Sequence, residues 1–164
     1  MLYIKTLEND FSNISYQILM WGKITGNQDS AIQLSEKFQE QIENIQSKIN
    51  YQSESPKIFI DTTDLWTSGP NTLMGEVLEL LNLSNIAHDI SGYAQLNPEI
   101  IIERNPDFII TPNPSTFKNN PAFQEISAVK NNKIFTLQSD ALSVPGPRFP
   151  EGINELASLI YPDW

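Results

Sequence analysis

The stretch that decides the fold begins Trp66-Thr67-Ser68-Gly69-Pro70-Asn71-Thr72 and continues as a helical pattern to Leu81. It then reads Asn85-Ile86-Ala87, Gly92-Tyr93-Ala94-Gln95, and Asn97-Pro98-Glu99 through Arg104-Asn105-Pro106-Asp107. This spells a loop, a helix, an aromatic-bearing loop, and a second helix leading into a strand. Ser68-Gly69-Pro70 starts the first helix, whose Leu73, Met74, Val77, Leu78 and Leu81 recur at steps of three and four and form a buried face. Pro98 opens the second, with Ile100, Ile101 and Ile102 inside. Loops at strand ends in α/β layers are where such folds hold ligands.

Strands flank this stretch on both sides. Lys57-Ile58-Phe59-Ile60-Asp61 precedes it, Phe108-Ile109-Ile110 closes it, and Lys133-Ile134-Phe135-Thr136-Leu137 follows, ending at Ser139-Asp140. A short helix is expected over Pro121 to Ser127. A last one is expected over Phe149 to Ile160, with Ile153, Leu156, Ala157 and Ile160 inward. Strands alternating with helices predict an α/β fold: a three-layer, Rossmann-like unit with a mostly parallel sheet and helices on both faces.

Upstream of the first of these strands lies a polar break, Ser53 to Pro56, and before that the clearest helix. Ala31, Leu34, Phe38, Ile42, Ile45 and Ile49 form one narrow apolar stripe. Asn27 is placed to cap it and Asp29 suits its first turn. At 1.5 Å per residue it is roughly 30 Å long, the width of a small domain. A stripe of this length must be covered. An earlier helix is expected from Asp10 to Trp21, with Phe11, Ile14, Ile18 and Trp21 at helical spacing, Asn9 or Asp10 as cap and Gly22 as terminator. Leu2-Tyr3-Ile4 reads as a short strand.

The 164 residues suit one domain or two small ones. Hydrophobic content of 40% supplies a core, and a net charge of −10 argues against nucleic acid and anionic membrane surfaces. With no cysteine there is no disulfide or thiolate site. His88 is the only histidine, so no recognisable zinc site can be assembled and it reads as a solvated loop residue. No serine nucleophile elbow or Ser-His-Asp arrangement appears. Nothing calls for catalysis, and no metal site is expected. No run reaches transmembrane length, and acidic Glu8 and Asp10 break any signal-peptide pattern, so the chain as written is expected in the cytoplasm.

Four residues stand out. Trp66 and Tyr93 are expected in loops, where they either cap the core or present a binding surface. Asp140 follows a strand, as a ligand contact or a turn former. Glu99 sits in a helix's first turn, where the dipole alone accounts for an acid. Gly69-Pro70-Asn71-Thr72 resembles an anion-holding helix start but lacks the lysine of a phosphate loop.

Taken together, the chain resembles the second lobe of a class III periplasmic binding protein, the ferric-siderophore and cobalamin family that serves ABC importers. The resembling segments are Leu65 to Thr72, Gly75 to Leu80, Asn85-Ile86-Ala87, Gly92 to Leu96, Pro98 to Ile110, Ala128 to Ile134 and Pro145-Gly146-Pro147-Arg148. The Gly-aromatic-x-Gln loop and the Pro-Gly-Pro-Arg ending make the cobalamin-binding branch the nearest match.

The resemblance implies a C-terminal α/β ligand-binding lobe over 53–164, a long interlobe helix over 28–52, and a remnant of an N-terminal lobe over 1–27, the rest of that lobe being missing. It implies a solute-binding subunit with no chemistry of its own, a cobalamin or iron-siderophore ligand, an ABC permease as partner, and a periplasmic or membrane-associated location. By the same resemblance Tyr93 matches the aromatic that packs on the ligand, Asp140 the acid that contacts it, Trp66 a cleft-facing loop residue, and Glu99 the carboxylate that meets the permease. The alternatives are a freestanding α/β domain holding a phosphorylated small molecule at Gly69–Thr72, and an interaction module that complements a separately encoded first lobe. Apolar helix surface left without that lobe favours self-association or capture of a partner.

Overall fold

Residues 57–60 and 108–110 alternate their side chains between two faces, as the two-residue period of a strand requires. Ile58 and Ile60 on β1 (Lys57–Ile60) and Phe108 and Ile110 on β5 (Phe108–Ile110) enter one core; Phe59 and Ile109 enter another. Two cores on opposite faces of one sheet make three layers. The computed structural model describes residues 11–49 and 54–164. The expected strand Leu2-Tyr3-Ile4, the cap at Asn9 or Asp10, and residues 50–52 of the expected long helix lie outside the described residues.

In chain order the elements are α1 (Phe11–Thr25), α2 (Gln28–Lys48), β1, β2 (Trp66–Ser68), α3 (Leu73–Leu80), β3 (Ser84–Asn85), β4 (Tyr93–Gln95) and α4 (Pro98–Arg104). After β5 follow α5 (Ser115–Lys118), a 3-10 turn (Pro121–Phe123), α6 (Ser127–Lys130), β6 (Ile134–Phe135) and α7 (Phe149–Ile160). The main sheet is parallel throughout, in the order β3-β1-β5-β6, with Ile58 opposite Phe108 and Ile109 opposite Ile134. The α/β class, the parallel sheet and the last helix agree with the sequence reading.

The first core takes Val77, Leu78 and Leu81 around α3, Ile153, Leu156, Ala157 and Ile160 of α7, and Ile14, Ile18, Phe38 and Ile45 of the N-terminal helices. The second gathers Ile86, Ala87, Leu96, Ile101, Phe123 and Ile126 around Phe117, whose ring meets Phe59 edge-on at 6.1 Å. Edge-to-face geometry suits the ring quadrupole.

The N-terminal helices depart from expectation. Gly22 does not end α1, which runs on to Thr25. The stop is Gly26, whose φ of +75° lets the Asn27 N–H reach back to the Gly22 carbonyl at 2.8 Å. Gly22 serves packing instead: a Cβ there would lie 2.2 Å from Ala31 Cβ, so its absence lets α1 and α2 touch. Asn27 does not cap α2 with its side chain, which donates to the Thr25 carbonyl at 3.4 Å. The buried positions of α2 are Ala31, Ser35, Phe38 and Ile45, and Leu34 is exposed. The steps 31, 35, 38, 42, 45, 49 hold one seam; position 34 lies one residue around the cylinder from it.

Candidate ligand-binding site

The loops leaving β1 and β5 diverge. The β1 loop leads by way of the ribbon strand β2 to α3 in the first core, and the β5 loop leads to α5 in the second. Between the carboxyl ends of these adjacent parallel strands a crevice must open, the switch point where open α/β sheets take ligands. A cavity of 550 Å³ lies there. Its floor is Ile60, Asp61, Ile110, Thr111 and Thr136; its walls include Leu73, Met74, Tyr93, Leu142 and Pro145.

The floor is built from buried polar groups. Asp61 is 4% exposed and Thr111 1%. The Thr111 hydroxyl donates to Asp61 Oδ2 at 2.7 Å, and the Leu65 N–H donates to Asp61 Oδ1 at 2.9 Å. Thr136 Oγ1 donates to the Thr111 carbonyl at 2.7 Å. Burial pushes the Asp61 carboxyl above its ordinary range, opposed by the bonds from Thr111 and Leu65 and reinforced by the charge of Asp64. Asp64 and Leu65 both have left-handed backbones, φ 49° and 64°. That conformation is strained for leucine, and such strain collects beside functional sites.

Trp66 and Tyr93 are not loop residues. They stand on an antiparallel ribbon of β2 and β4 in which Ser68 pairs with Tyr93 and Trp66 with Gln95. Cross-strand partners share a face, and so do residues two apart, so all four project to one side of the ribbon. Ser68 and Tyr93 reach the cavity; Trp66, 45% exposed, stands beyond its lining. The ribbon is tied down by backbone: Gly69 N–H donates to the Gly92 carbonyl at 2.7 Å, and a Cβ at Gly69 would lie 1.9 Å from the Ile90 carbonyl oxygen. Helix α3 starts later than expected, at Leu73, because Thr72 is its cap and accepts from the Gly75 N–H at 3.1 Å.

Asp140 lies outside the lining, exposed and ion-paired to Arg148 at 3.5 Å, although its neighbour Ser139 lines the cavity. Glu99 is exposed in the first turn of α4, after Pro98, away from the lining. His88 is exposed, in a shallow hollow with Glu79 and Asn82. The structure therefore brings Tyr93 to the cavity and leaves Trp66, Asp140 and Glu99 outside its lining. The sequence reading missed Asp61 and Thr111, which sit one residue past two strands; the strand-end position was the available signal. It also missed Asn71 and Asn85. Asn71 Oδ1 accepts from Gly92 N–H at 2.8 Å, and Asn85 Nδ2 donates to the Ser68 carbonyl at 2.8 Å.

Among the described residues no cluster of His, Asp and Glu could hold a metal ion, and no helix is long and apolar enough to cross a membrane.

A family profile described as periplasmic binding protein matches residues 4–141. An uncharacterized ABC transporter substrate-binding lipoprotein of Bacillus subtilis is 33% identical over 161 residues, 93% of this chain and 51% of that protein. A cobalamin-binding protein of Halobacterium salinarum is 23% identical over 153 residues, 85% of this chain and 42% of that one. The crystal structure of a possible iron-binding, periplasmic solute-binding protein from Staphylococcus epidermidis superposes with a TM-score of 0.83 at 26% identity, covering 96% of this chain and 66% of the other. The chain thus spans about half the length of the curated relatives it matches.

Proposed function

The chain belongs to the periplasmic binding protein family, and from that premise we propose that it is the substrate-binding component of an ABC importer, or the C-terminal half of one. It binds a solute and hands it on, with no chemistry of its own. The observation that carries this reading is the cavity at the β1–β5 switch point with Tyr93 on its rim. The ligand class we infer is a cobalamin or iron-siderophore complex. A broad metal complex suits a wall of Leu73, Met74, Leu142 and Pro145 with one aromatic ring to pack on it. In this reading 28–52 is the helix leading from the other lobe, 1–27 belongs with that lobe, and 53–164 is the ligand-binding lobe. Trp66 and Asp140 meet the parts of the ligand that project past the cavity, and Glu99, exposed and outside it, docks the permease. A periplasmic or lipid-anchored location belongs to this reading, supported by the family's description and by the lipoprotein among the relatives.

Equilibrium dialysis of cyanocobalamin and of ferric siderophores against the purified chain tests the reading. One wall binds weakly, because half the contacts are absent. Replacing Tyr93 by alanine is expected to weaken binding by about tenfold, the effect of about 1.4 kcal/mol. Replacing His88 by alanine should leave it unchanged. Equal losses from both would remove the ring from the site.

A second reading rests on a separate observation. Tyr16, Leu19, Trp21 and Ile24 of α1 and Ile32 and Leu34 of α2 are exposed, which favours a module that pairs with a separately encoded first lobe or with itself. Light scattering distinguishes this from a monomer. A phosphorylated small molecule at Gly69–Thr72 fits least well: the Gly69 N–H is taken by the Gly92 carbonyl at 2.7 Å and the Gly75 N–H by Thr72 Oγ1 at 3.1 Å.

A further inference from the structure

The cavity's floor is one-sided in its hydrogen-bonding character. The Thr111 hydroxyl proton is committed to Asp61, and its oxygen already accepts from the Asn113 N–H at 3.1 Å. The Thr136 proton is committed to the Thr111 carbonyl. Asp61 takes two donors, Leu65 N–H and Thr111 Oγ1, whereas an ionised carboxylate has about four lone-pair positions. What the floor offers an incoming molecule is acceptor capacity on a carboxylate that is 4% exposed. Among the described residues the same carboxylate is the only ionisable group of the lining besides the Tyr93 phenol. The charge that acts on it is that of another acid, Asp64. Arg148, beside the loop that closes the cavity, is held by Asp140 and Glu151.

We propose that Asp61 is the specificity-determining residue of this wall, selecting neutral or cationic ligands that present hydrogen-bond donors and rejecting anionic ones. The proposal rests on the cavity being the solute site. An anion seated here meets a buried like charge and no cation, whereas an amide or ammonium donor completes the carboxylate's hydrogen bonds and offsets its burial. Within the ligand class above, this narrows the choice to amide-bearing corrinoids and neutral or cationic siderophore complexes, and disfavours polyanionic ones.

Asp61 also holds the strained Leu65 turn, and a purely structural role would leave charge preference untouched. The test is equilibrium dialysis of the full chain against three probes: cyanocobalamin, which is neutral and amide-rich, ferrioxamine B, which is cationic, and ferric enterobactin, which is anionic. The first two are expected to bind at least about tenfold more tightly than the third. Asp61→Asn keeps an acceptor for Leu65 and removes the charge, and is expected to shrink that gap to about threefold. Anionic binding as tight as cationic, or an unchanged gap in Asp61→Asn, overturns the proposal while solute binding stands. Binding of none of the three overturns the solute-site reading and the proposal with it. Should Asp61→Asn fail to fold by circular dichroism, added salt on the unaltered protein decides: salt screens the surface charge of this −10 chain far more than a buried carboxylate, so a gap between ferrioxamine B and ferric enterobactin that survives high salt supports Asp61, and one that vanishes overturns its role.

Discussion

Helices α2 and α7 are both amphipathic, and the fold uses them differently. In the 12 residues of α7, seven are buried, among them Ile153, Leu156 and Ala157 at 0% exposure. In the 21 residues of α2, four are buried, and its partner α1 leaves Tyr16, Leu19, Trp21 and Ile24 in solvent. The difference shows that an apolar stripe reports what a helix is suited to cover, and only packing reports what covers it. Helix α7 lies on a sheet face that surrounds its stripe. The α1–α2 hairpin meets that core along a single seam, and the rest of its apolar surface stays open.

The sharpest break of this contrast is a pair of truncations. Leu156→Ala on α7 removes a side chain with 0% exposure and is expected to cost about 2–5 kcal/mol in urea unfolding. Ile32→Ala on α2, where the side chain is 47% exposed, should stay within about 0.5 kcal/mol. Similar losses at the two positions would mean that α2 is covered as fully as α7 in solution.

A smaller effect probes the seam itself. Gly22→Ala places a methyl 2.2 Å from Ala31 Cβ, and should cost about 1–3 kcal/mol as the two helices separate. Hydrogen exchange is expected to quicken over 11–25 and to stay unchanged over 57–160. Faster exchange in both regions would show that the hairpin and the α/β unit unfold together.

The smallest expected effect belongs to the surface of the α/β unit. Arg104 holds Asp89 with two hydrogen bonds, at 2.7 and 2.8 Å, and donates to the Ile86 carbonyl, fastening the 86–90 turn to α4. The Arg104 hydrogen bond lowers the Asp89 carboxyl to about 2. A depressed acid stabilises the folded state above its unfolded value, near pH 4, and that contribution is lost as pH falls through about 2. Arg104→Gln should return the Asp89 titration, followed by NMR, to the ordinary carboxylate range, with a stability change confined to the screened scale of a surface pair. A pKa that stays low in Arg104→Gln would assign the shift to the backbone of the turn.

Much of this architecture was legible in local pattern. Helix α7 and strand β5 fall on the expected residues because Phe149 to Ile160 and Phe108-Ile109-Ile110 carry their periods without competition. Boundaries set by small residues were less legible. Gly22 reads as a terminator, yet Ala31 on the next helix makes it a contact point and leaves the stop to Gly26. Pro70 reads as a helix start, yet the Thr72 hydroxyl decides where α3 begins.

Of the site, Tyr93 was legible because an aromatic between Gly92 and Ala94 has little local reason to be there. The burial of Asp61 was not. The sequence by itself determined the class of fold, the alternation of strands and helices, and the absence of a catalytic motif, because each depends on neighbours a few residues apart. The tertiary structure decided that Asp61 meets Thr111 across a separation of 50 residues, that Trp66 and Tyr93 share a ribbon, and that Ser35 rather than Leu34 is buried in the seam of α2. Those outcomes come from contacts between segments far apart in the chain, which local periodicity does not encode.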